Sequence, residues 1–165
     1  MKPALLVVDV QKKFFKIDSV TEESLKAAIR TINAAVALFR EKDLPIICIQ
    51  HLHRESGLVP GESDFEVSDL LNLLPSDLYI HKTYSNPFNK TPLESELRRL
   101  GVDTVIVTGY CAEYCVLATC QGARDLDLTP IILRGALAST TPDNIPFVEA
   151  INDVISFGAL KRFLE

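Results

Sequence analysis

The sequence predicts a single α/β domain over residues 1–165, with a parallel sheet covered by helices on both faces. Short apolar runs alternate with amphipathic segments along the chain, without a linker, an internal repeat or a low-complexity tract. Such alternation is typical of βαβ units. The length is sufficient for one domain that buries roughly 70% of the surface that its unfolded chain would expose.

Composition and charge narrow the class of protein. Hydrophobic residues make up 47% and charged residues 24% of the chain, as in an ordinary folded protein. The net charge of -5 argues against nucleic acid or an anionic membrane as partner. No apolar stretch approaches the ~20 residues of a membrane span, and no basic-then-apolar signal pattern is present. We therefore expect a cytoplasmic protein whose four cysteines are reduced.

The first half of the chain predicts three strands and one long helix. Residues 5–10 form an apolar run typical of a strand buried on both faces, and residues 45–49 and 78–81 predict the second and third strands. Thr21 is the expected N-cap of the helix. Apolar residues recur in this helix at helical spacing and predict one buried stripe: Leu25, Ala28, Ile29, Ile32, Ala35, Val36 and Phe39.

The second half predicts two more strands, three helices and a short final segment. One helix starts at Thr91 and stops at Gly101, and another opens at Cys115. Residues 103–108 and 129–133 predict the fourth and fifth strands. Thr141 starts the last helix, whose apolar side is Val148, Ile151, Val154 and Ile155. The apolar residues 157–164 predict a short strand or turn.

Residues 55–74 are the least regular part of the sequence. They include Gly57, Pro60 and Gly61, and they show neither strand nor helix periodicity. We expect a loop here that covers a functional site or contacts a partner.

Three residues with catalytic chemistry stand where predicted strands end. Asp9 and Lys82 close apolar runs, and Cys115 opens a helix after the fourth strand. In an open parallel sheet these carboxyl ends share one crevice. A helix N-terminus can lower the pKa of a cysteine, and a buried carboxylate beside a lysine stays charged. An isolated cysteine at such a junction is more often a small buried hydrophobe, the interpretation we keep for Cys48, Cys111 and Cys120.

Three motifs resemble one known family. Residues 7–11 (VVDVQ), residues 82–88 (KTYSNPF) and residues 97–109 continuing to Cys115 and Val116 are similar, in this order, to the isochorismatase-like cysteine hydrolases. That family includes nicotinamidases and N-carbamoylsarcosine amidases. The resemblance implies a three-layer αβα domain with a mainly parallel, Rossmann-like sheet of about six strands, and a homo-oligomer.

The resemblance also implies a Cys–Asp–Lys triad. Cys115 would attack a carbonyl carbon, Asp9 would take the thiol proton and return it to the leaving amine, and Lys82 would hold negative charge in place. The backbone N–H groups of Ala112 and Cys115 are the expected oxyanion donors, since they lie at a turn that opens a helix. The family's non-proline cis peptide would fall at Cys111–Ala112.

Further residues are expected around a small-molecule substrate. Gln11 matches a glutamine that would brace Asp9, and Phe14 matches an aromatic residue that lines the pocket in nicotinamidases. Tyr84 and Tyr110 are wall candidates because they are close in sequence to triad positions. His51 and His53 are candidates for substrate hydrogen bonds; a weak two-histidine metal site is the alternative.

We expect no metal and no cofactor. Nicotinamidases hold a metal with an aspartate and a histidine two residues apart and with further histidines, and His51 takes the place of that aspartate here. His81, the only other histidine besides His53, is not an evident replacement. Cys111, Cys115 and Cys120 do not have the spacing of a zinc site.

These observations predict a hydrolase that cleaves a C–N bond of a small amide or ureido compound through a thioester on Cys115. Two alternatives remain open. A family member could act on a non-amide carbonyl substrate, or the chain could be a thiol-based redox or ligand-binding protein. Asp9 and Lys82 favour the hydrolase, because a redox thiol does not need an oriented general base.

Overall fold

A computed structural model describes the whole chain, residues 1–165. Six strands form one sheet in which all neighbours are parallel, in the order β3-β2-β1-β4-β5-β6. The strands are β1 (Pro3–Val8), β2 (Ile46–His51), β3 (Leu78–Lys82), β4 (Thr104–Tyr110), β5 (Thr129–Ala138) and β6 (Val154–Ile155). The prediction of a parallel sheet of about six strands is confirmed.

Five helices cover the sheet, and they leave two separate apolar cores. The helices are α1 (Ser19–Glu41), α2 (Leu93–Arg99), α3 (Leu117–Asp125), α4 (Ile145–Ala150) and α5 (Phe157–Phe163). Residues of α1 and α5 join one core, whereas residues of α2, α3 and α4 join the other. The predicted helix–sheet–helix layering is therefore confirmed.

The alternation of side chains along β1 explains how one strand serves both cores. Leu5 and Val7 pack on the α1 side, whereas Leu6 and Val8 pack on the opposite side, and all four are fully buried. A strand buried on both faces needs apolar residues at every position, because successive side chains point to opposite faces. This requirement explains the continuous apolar run in the sequence.

The predicted start of α1 differs from the structure. The N-cap of α1 is Asp18 rather than Thr21: the Asp18 carboxylate accepts a hydrogen bond from the Thr21 backbone N–H at 2.7 Å. Both residue types are good caps, and a carboxylate gains in addition from the positive end of the helix. The apolar stripe that was predicted for this helix is buried.

The assignments at the C-terminal end were wrong. Val154 and Ile155 form β6 and pair with Ile132 and Leu133 of β5, although they were assigned to the preceding helix. The segment after them is helix α5, not a strand or turn, and the Ser156 hydroxyl caps it. Two β-branched residues at helical distance from Val148 fit either element, and packing against the edge of β5 decides between them.

The irregular segment 55–74 packs over the carboxyl ends of β1 and β2. Phe65 and Leu58 in this segment are buried. The backbone N–H of Ser68 donates to the Val10 carbonyl at 2.9 Å, and the Lys12 N–H donates to the Glu66 carbonyl at 2.9 Å. The segment is thus an ordered cover of the sheet edge where the predicted site residues lie.

The strand order brings the ends of β1 and β4 together. β1 has β2 on one side and β4 on the other, and the direction of strand succession reverses between β1 and β4. In open parallel sheets, ligands bind at the carboxyl edge where this reversal occurs.

None of the helices is long and apolar enough to cross a lipid bilayer.

Gly109 allows this edge to form. It pairs with Val8 across β1 and β4, its φ is +112°, and an added Cβ would lie 2.1 Å from the Val8 carbonyl oxygen. No side chain fits there, and L residues rarely adopt this backbone conformation. The glycine therefore lets the two strands that carry Asp9 and the Cys115 turn approach each other.

We expect Gly109→Ala to lower the free energy of unfolding by about 3 kcal/mol or more, because overpacking and backbone strain add. Gly158→Ala is the matched control. Gly158 lies in α5 with nothing within 4 Å of an added Cβ, so alanine should be neutral or stabilising there. Urea denaturation of both variants measures the difference. Equal stability of the two variants would contradict this account of Gly109.

Candidate active site

The three predicted catalytic residues come together at the carboxyl edge of the sheet. Asp9 directly follows β1 and has a φ of +52°, which is unusual for a non-glycine residue. Lys82 is the last residue of β3. Cys115 lies in a single π-helical turn, Ala112–Val116, that precedes α3, so it is not in the first turn of a regular α-helix as predicted. Such turns are frequent at functional sites.

The Lys82 ammonium is the centre of the cluster. It is fully buried, and its Nζ lies 2.9 Å from Asp9 Oδ2, 3.0 Å from His51 Nδ1, 3.2 Å from the Tyr84 carbonyl oxygen and 3.2 Å from Cys115 Sγ. An ammonium has three N–H donors, so four acceptors compete for three protons. If one of the four groups stops accepting because its charge changes, the ammonium can therefore still donate to the other three.

Asp9 is a buried carboxylate with one oxygen still available. Oδ2 accepts from Lys82, whereas Oδ1 is buried without a hydrogen-bond partner. Burial raises the pKa of Asp9 above its ordinary value, although the charge of Lys82 opposes the shift. A carboxylate with a raised pKa is a stronger base than an exposed one. The free oxygen is thus suited to accept a proton.

The Cys115 thiol does not have the lowered pKa that was expected. Burial, followed by the charge of Asp9, raises its pKa to about 12 although Lys82 acts in the opposite direction. The favourable effect of a helix N-terminus is outweighed because the thiol is partly desolvated and faces a carboxylate. Cys115 is therefore a neutral thiol at rest and needs a base to become a nucleophile.

His51 joins the cluster through Lys82. Burial lowers the pKa of its imidazole, and the charge of Lys82 adds to this effect, so the ring is neutral at pH 7. Its main chain is held on both sides by Gln11, whose Oε1 accepts from the His51 N–H at 2.8 Å and whose Nε2 donates to the His51 carbonyl at 3.0 Å. His51 is thus a rigidly placed neighbour of the triad.

Gln11 does not brace Asp9 as expected. Besides its two contacts to His51, its amide donates to the Phe65 carbonyl at 3.0 Å, and the residue has no exposed surface. Every polar group of the side chain is engaged, and nothing of it reaches the cleft. The glutamine ties β2 to the covering segment, and this contact needs a long amide that both donates and accepts.

The side chains of His53 and Tyr84 lie further out than the cluster around Lys82. The His53 ring is exposed and contacts Ser56 Oγ at 3.0 Å, without any hydrogen bond to the triad. Tyr84 contributes its backbone carbonyl to Lys82. The residue is 42% exposed, and its hydroxyl accepts a hydrogen bond from Lys90 at 3.1 Å. Their roles in substrate binding stay predictions.

Two aromatic rings pack side by side at this edge. Phe14 and Tyr110 stack with centroids 4.8 Å apart, and the Tyr110 hydroxyl contacts Thr140 Oγ1 at 2.9 Å.

The cis peptide lies at Tyr110–Cys111, one residue before the position that the resemblance implied. Ala112 has no exposed surface, so of the two expected oxyanion donors only the Cys115 amide belongs to a partly exposed residue.

A polar network that sequence reasoning missed anchors the Cys115 turn to the end of β5. Ser139 Oγ lies 2.7 Å from Glu113 Oε2, Asn144 Nδ2 donates to Glu113 Oε1 at 3.1 Å, and Cys111 Sγ donates to Glu113 Oε2 at 3.3 Å. Cys111 is therefore more than an apolar filler. The available signal was a charged residue inside an otherwise apolar turn, followed by a serine and two threonines after β5.

One group of side chains at this edge has the donor atoms of a metal site. Ligand atoms of Asp9, His51 and Cys115 lie within 4.8 Å of one another. Oxygen, nitrogen and sulfur ligands suit zinc. However, the Lys82 ammonium lies within 3.2 Å of all three side chains and occupies the space between them. A divalent ion would meet this fixed positive charge, so the residues do not fit a resident metal.

The chain is similar to known proteins over most of its length. The family model described as "Isochorismatase domain" matches residues 3–153. The isochorismatase family protein YrdC of Bacillus subtilis is 29% identical over 140 residues, which cover 84% of this chain and 74% of YrdC. The ureidoacrylate amidohydrolase RutB of Caulobacter vibrioides is 30% identical over 101 residues, 61% of this chain and 45% of RutB.

Solved structures share the whole fold. The crystal structure of N-carbamoylsarcosine amidase from Thermoplasma acidophilum superimposes with a TM-score of 0.82 at 26% identity, and the match covers 94% of this chain and 96% of that one. The two chains therefore share the fold over nearly their whole length.

We expect iodoacetamide in limiting amount to label Cys115 first, because the other three thiols are buried. With a thiol pKa of about 12, the rate should rise about tenfold per pH unit between pH 6 and 9, since only the thiolate reacts. Asp9→Asn should speed labelling at fixed pH, because it removes a negative charge that raises this pKa. Peptide mapping gives the site and the rate. A plateau below pH 8, or first labelling of Cys111 or Cys120, would contradict the expectation.

We also expect activity to survive exhaustive chelation, because Lys82 occupies the place that a metal would take. The measurement is turnover before and after treatment with a chelator, with metal content determined on the same sample and a mock-dialysed control. Loss of activity that zinc, manganese or iron restores would show that a metal is required.

Proposed function

The chain belongs to the isochorismatase family, and from this premise we propose that it hydrolyses a C–N bond of a small amide or ureido compound through a thioester on Cys115. One observation carries the proposal: a single buried ammonium, Lys82, lies 2.9 Å from the Asp9 carboxylate and 3.2 Å from the Cys115 sulfur. Base, nucleophile and charge carrier thus form one unit.

The first step is proton transfer followed by attack. Asp9 Oδ1, which has no partner at rest, takes the proton from the Cys115 thiol, and the sulfur bonds to the carbonyl carbon of the substrate. Negative charge moves from the carboxylate to the sulfur and then to the carbonyl oxygen. Lys82 contacts both residues, so it stays beside the charge without moving.

Collapse of the tetrahedral intermediate releases the amine. The oxyanion re-forms the carbonyl, the C–N bond breaks, and the protonated Asp9 gives its proton to the leaving nitrogen. Asp9 then takes a proton from water, whose oxygen bonds to the carbonyl carbon of the thioester. The C–S bond breaks as the carbonyl re-forms, and Asp9 returns the proton to the sulfur, which regenerates the thiol of Cys115. The net reaction consumes one water and yields an acid and an amine or ammonia. The backbone N–H of Cys115, a partly exposed residue, is the proposed first donor to the oxyanion, and the N–H of the buried Ala112 remains the second donor that the resemblance implies.

The raised pKa of Cys115 favours this route over a redox role. A redox-sensing thiol reacts because it is a thiolate at neutral pH. Here burial and the charge of Asp9 keep the thiol protonated until a base acts on it. The relatives point the same way, since RutB is by name an amidohydrolase and the similar structure from Thermoplasma acidophilum is by name an amidase. A non-amide carbonyl substrate is the second candidate, and it would use the same nucleophile.

The proposal extends to the cellular compartment and to the state of assembly. The four cysteines are free, as in proteins of a reducing compartment, and we propose the cytoplasm. The homo-oligomer that the resemblance implied stays a prediction, which sedimentation velocity would test.

We expect Cys115→Ala and Asp9→Asn each to lower kcat by about 10³-fold or more, and the double variant to be little worse, because members of one catalytic unit are not additive. Lys82→Ala should be comparably harmful. Cys120→Ala, which removes a buried sulfur outside the cluster, is the control and should retain turnover. Ammonia release from a panel of small amides and ureido compounds measures activity, and circular dichroism checks the fold.

Mass spectrometry of the quenched reaction should show an acyl adduct on Cys115. Substantial ammonia release by Cys115→Ala on a substrate that the wild type hydrolyses would refute the covalent route. An adduct on another cysteine would show that this other residue, and not Cys115, is the nucleophile.

A further inference from the structure

His51 directs a hydrogen-bond donor away from Lys82. Its Nδ1 lies 3.0 Å from Lys82 Nζ. An ammonium only donates, so Nδ1 must carry the lone pair, and in the neutral ring the proton is on Nε2. Contact with Lys82 therefore selects one tautomer of His51, in which Nε2 is an N–H donor.

This donor has no partner in the protein. Nδ1 makes the only side-chain hydrogen bond of His51, and Nε2 is not among the buried unpaired atoms, so it retains access to solvent. One ring nitrogen of His51 lies within 4.8 Å of Cys115 Sγ. Nε2 belongs to the same small ring, so this unoccupied donor lies at the same edge of the sheet as Cys115 and is placed to contact the molecule that the thiol would attack.

The donor is also rigidly held. Gln11 binds the His51 N–H and carbonyl at 2.8 and 3.0 Å, and His51 pairs with Lys82 in the register of β2 and β3. A group that is fixed in position before binding loses little freedom when it binds, so its hydrogen bond discriminates between ligands more sharply.

We propose that His51 is a specificity-determining residue: its Nε2–H donates to a second oxygen of the substrate, a carboxylate or carbonyl oxygen a few bonds from the scissile carbon. The inference rests on the proposed hydrolase function and names its substrate class. Amides and ureido compounds with such an oxygen are preferred, because an analogue without it leaves the donor unpaired and displaces its water. The positive charge of Lys82 on the other side of the ring strengthens the donor.

Three four-carbon amides test the preference. Succinamate carries a carboxylate, succinamide carries a second carbonyl, and butyramide carries neither. We expect kcat/KM of the wild type to be about 10- to 100-fold higher for the best of the first two than for butyramide. Comparison of succinamate with succinamide shows whether the acceptor is a carboxylate or an amide carbonyl.

Two substitutions distinguish the roles of the two ring nitrogens of His51. In His51→Asn the side-chain oxygen can replace Nδ1 as the acceptor for Lys82, but nothing replaces Nε2–H. In His51→Gln the longer amide can reach the position of Nε2, but the acceptor for Lys82 is lost. We expect the preference over butyramide to collapse toward one in His51→Asn. In His51→Gln we expect it to remain while kcat falls for all three amides.

A second readout does not depend on turnover. Each amide is tested for its ability to protect Cys115 from iodoacetamide. Succinamate or succinamide should protect the wild type at lower concentration than butyramide, and His51→Asn should lose this difference. Equal protection by all three, or a preference that survives in His51→Asn, would overturn the role of His51.

The two proposals fail in different ways. If selective protection is seen but no amide or ureido compound is hydrolysed, the proposed function is wrong and the binding role of His51 stands. If the amides are hydrolysed without preference for a second oxygen, the function stands and the role of His51 is wrong.

Discussion

The site depends on one buried ammonium. Lys82 has no exposed side-chain surface and contacts a carboxylate, an imidazole, a backbone carbonyl and a thiol, each from a different part of the chain. A charge taken out of water is costly unless partners surround it, so this lysine requires the ends of β1, β2 and β3 and the Cys115 turn to be in register. In the proposed mechanism the same contacts let negative charge pass between Asp9 and Cys115 without displacement of the cation.

The surroundings of this ammonium explain why the Cys115 thiol stays protonated when no substrate is bound. Burial and the facing carboxylate raise the pKa of Cys115 to about 12, and burial also raises that of Asp9. In the proposed reaction the two groups share one proton, and a substrate that accepts the negative charge drives the transfer of this proton from the thiol to the carboxylate. The fold supports this with a second layer of contacts: Gln11 fixes β2 to the covering segment, and Glu113 fixes the turn of Cys115 to the end of β5.

The sequence was a good guide wherever a local pattern had one solution. Continuous apolar runs indicated strands buried on both faces, and the stripe of α1 is buried as its periodicity requires. It failed where two structures satisfy the same pattern. Val154 and Ile155 suit a helix or a strand, and only the free edge of β5 makes them β6. Asp18 and Thr21 are both capping residues, and the backbone of the first turn decides which one caps.

The sequence by itself determined the parallel α/β architecture and the chemical types of the cluster, because strand periodicity and the residues at strand ends are local properties. The tertiary structure alone decided what each group does. Gln11 holds His51 rather than Asp9, since its partners come from β2 and from the segment 55–74. The pKa of Cys115 rises because burial and a carboxylate outweigh its helical turn. The tautomer of His51 follows from a lysine 31 residues away, a contact that no local pattern encodes.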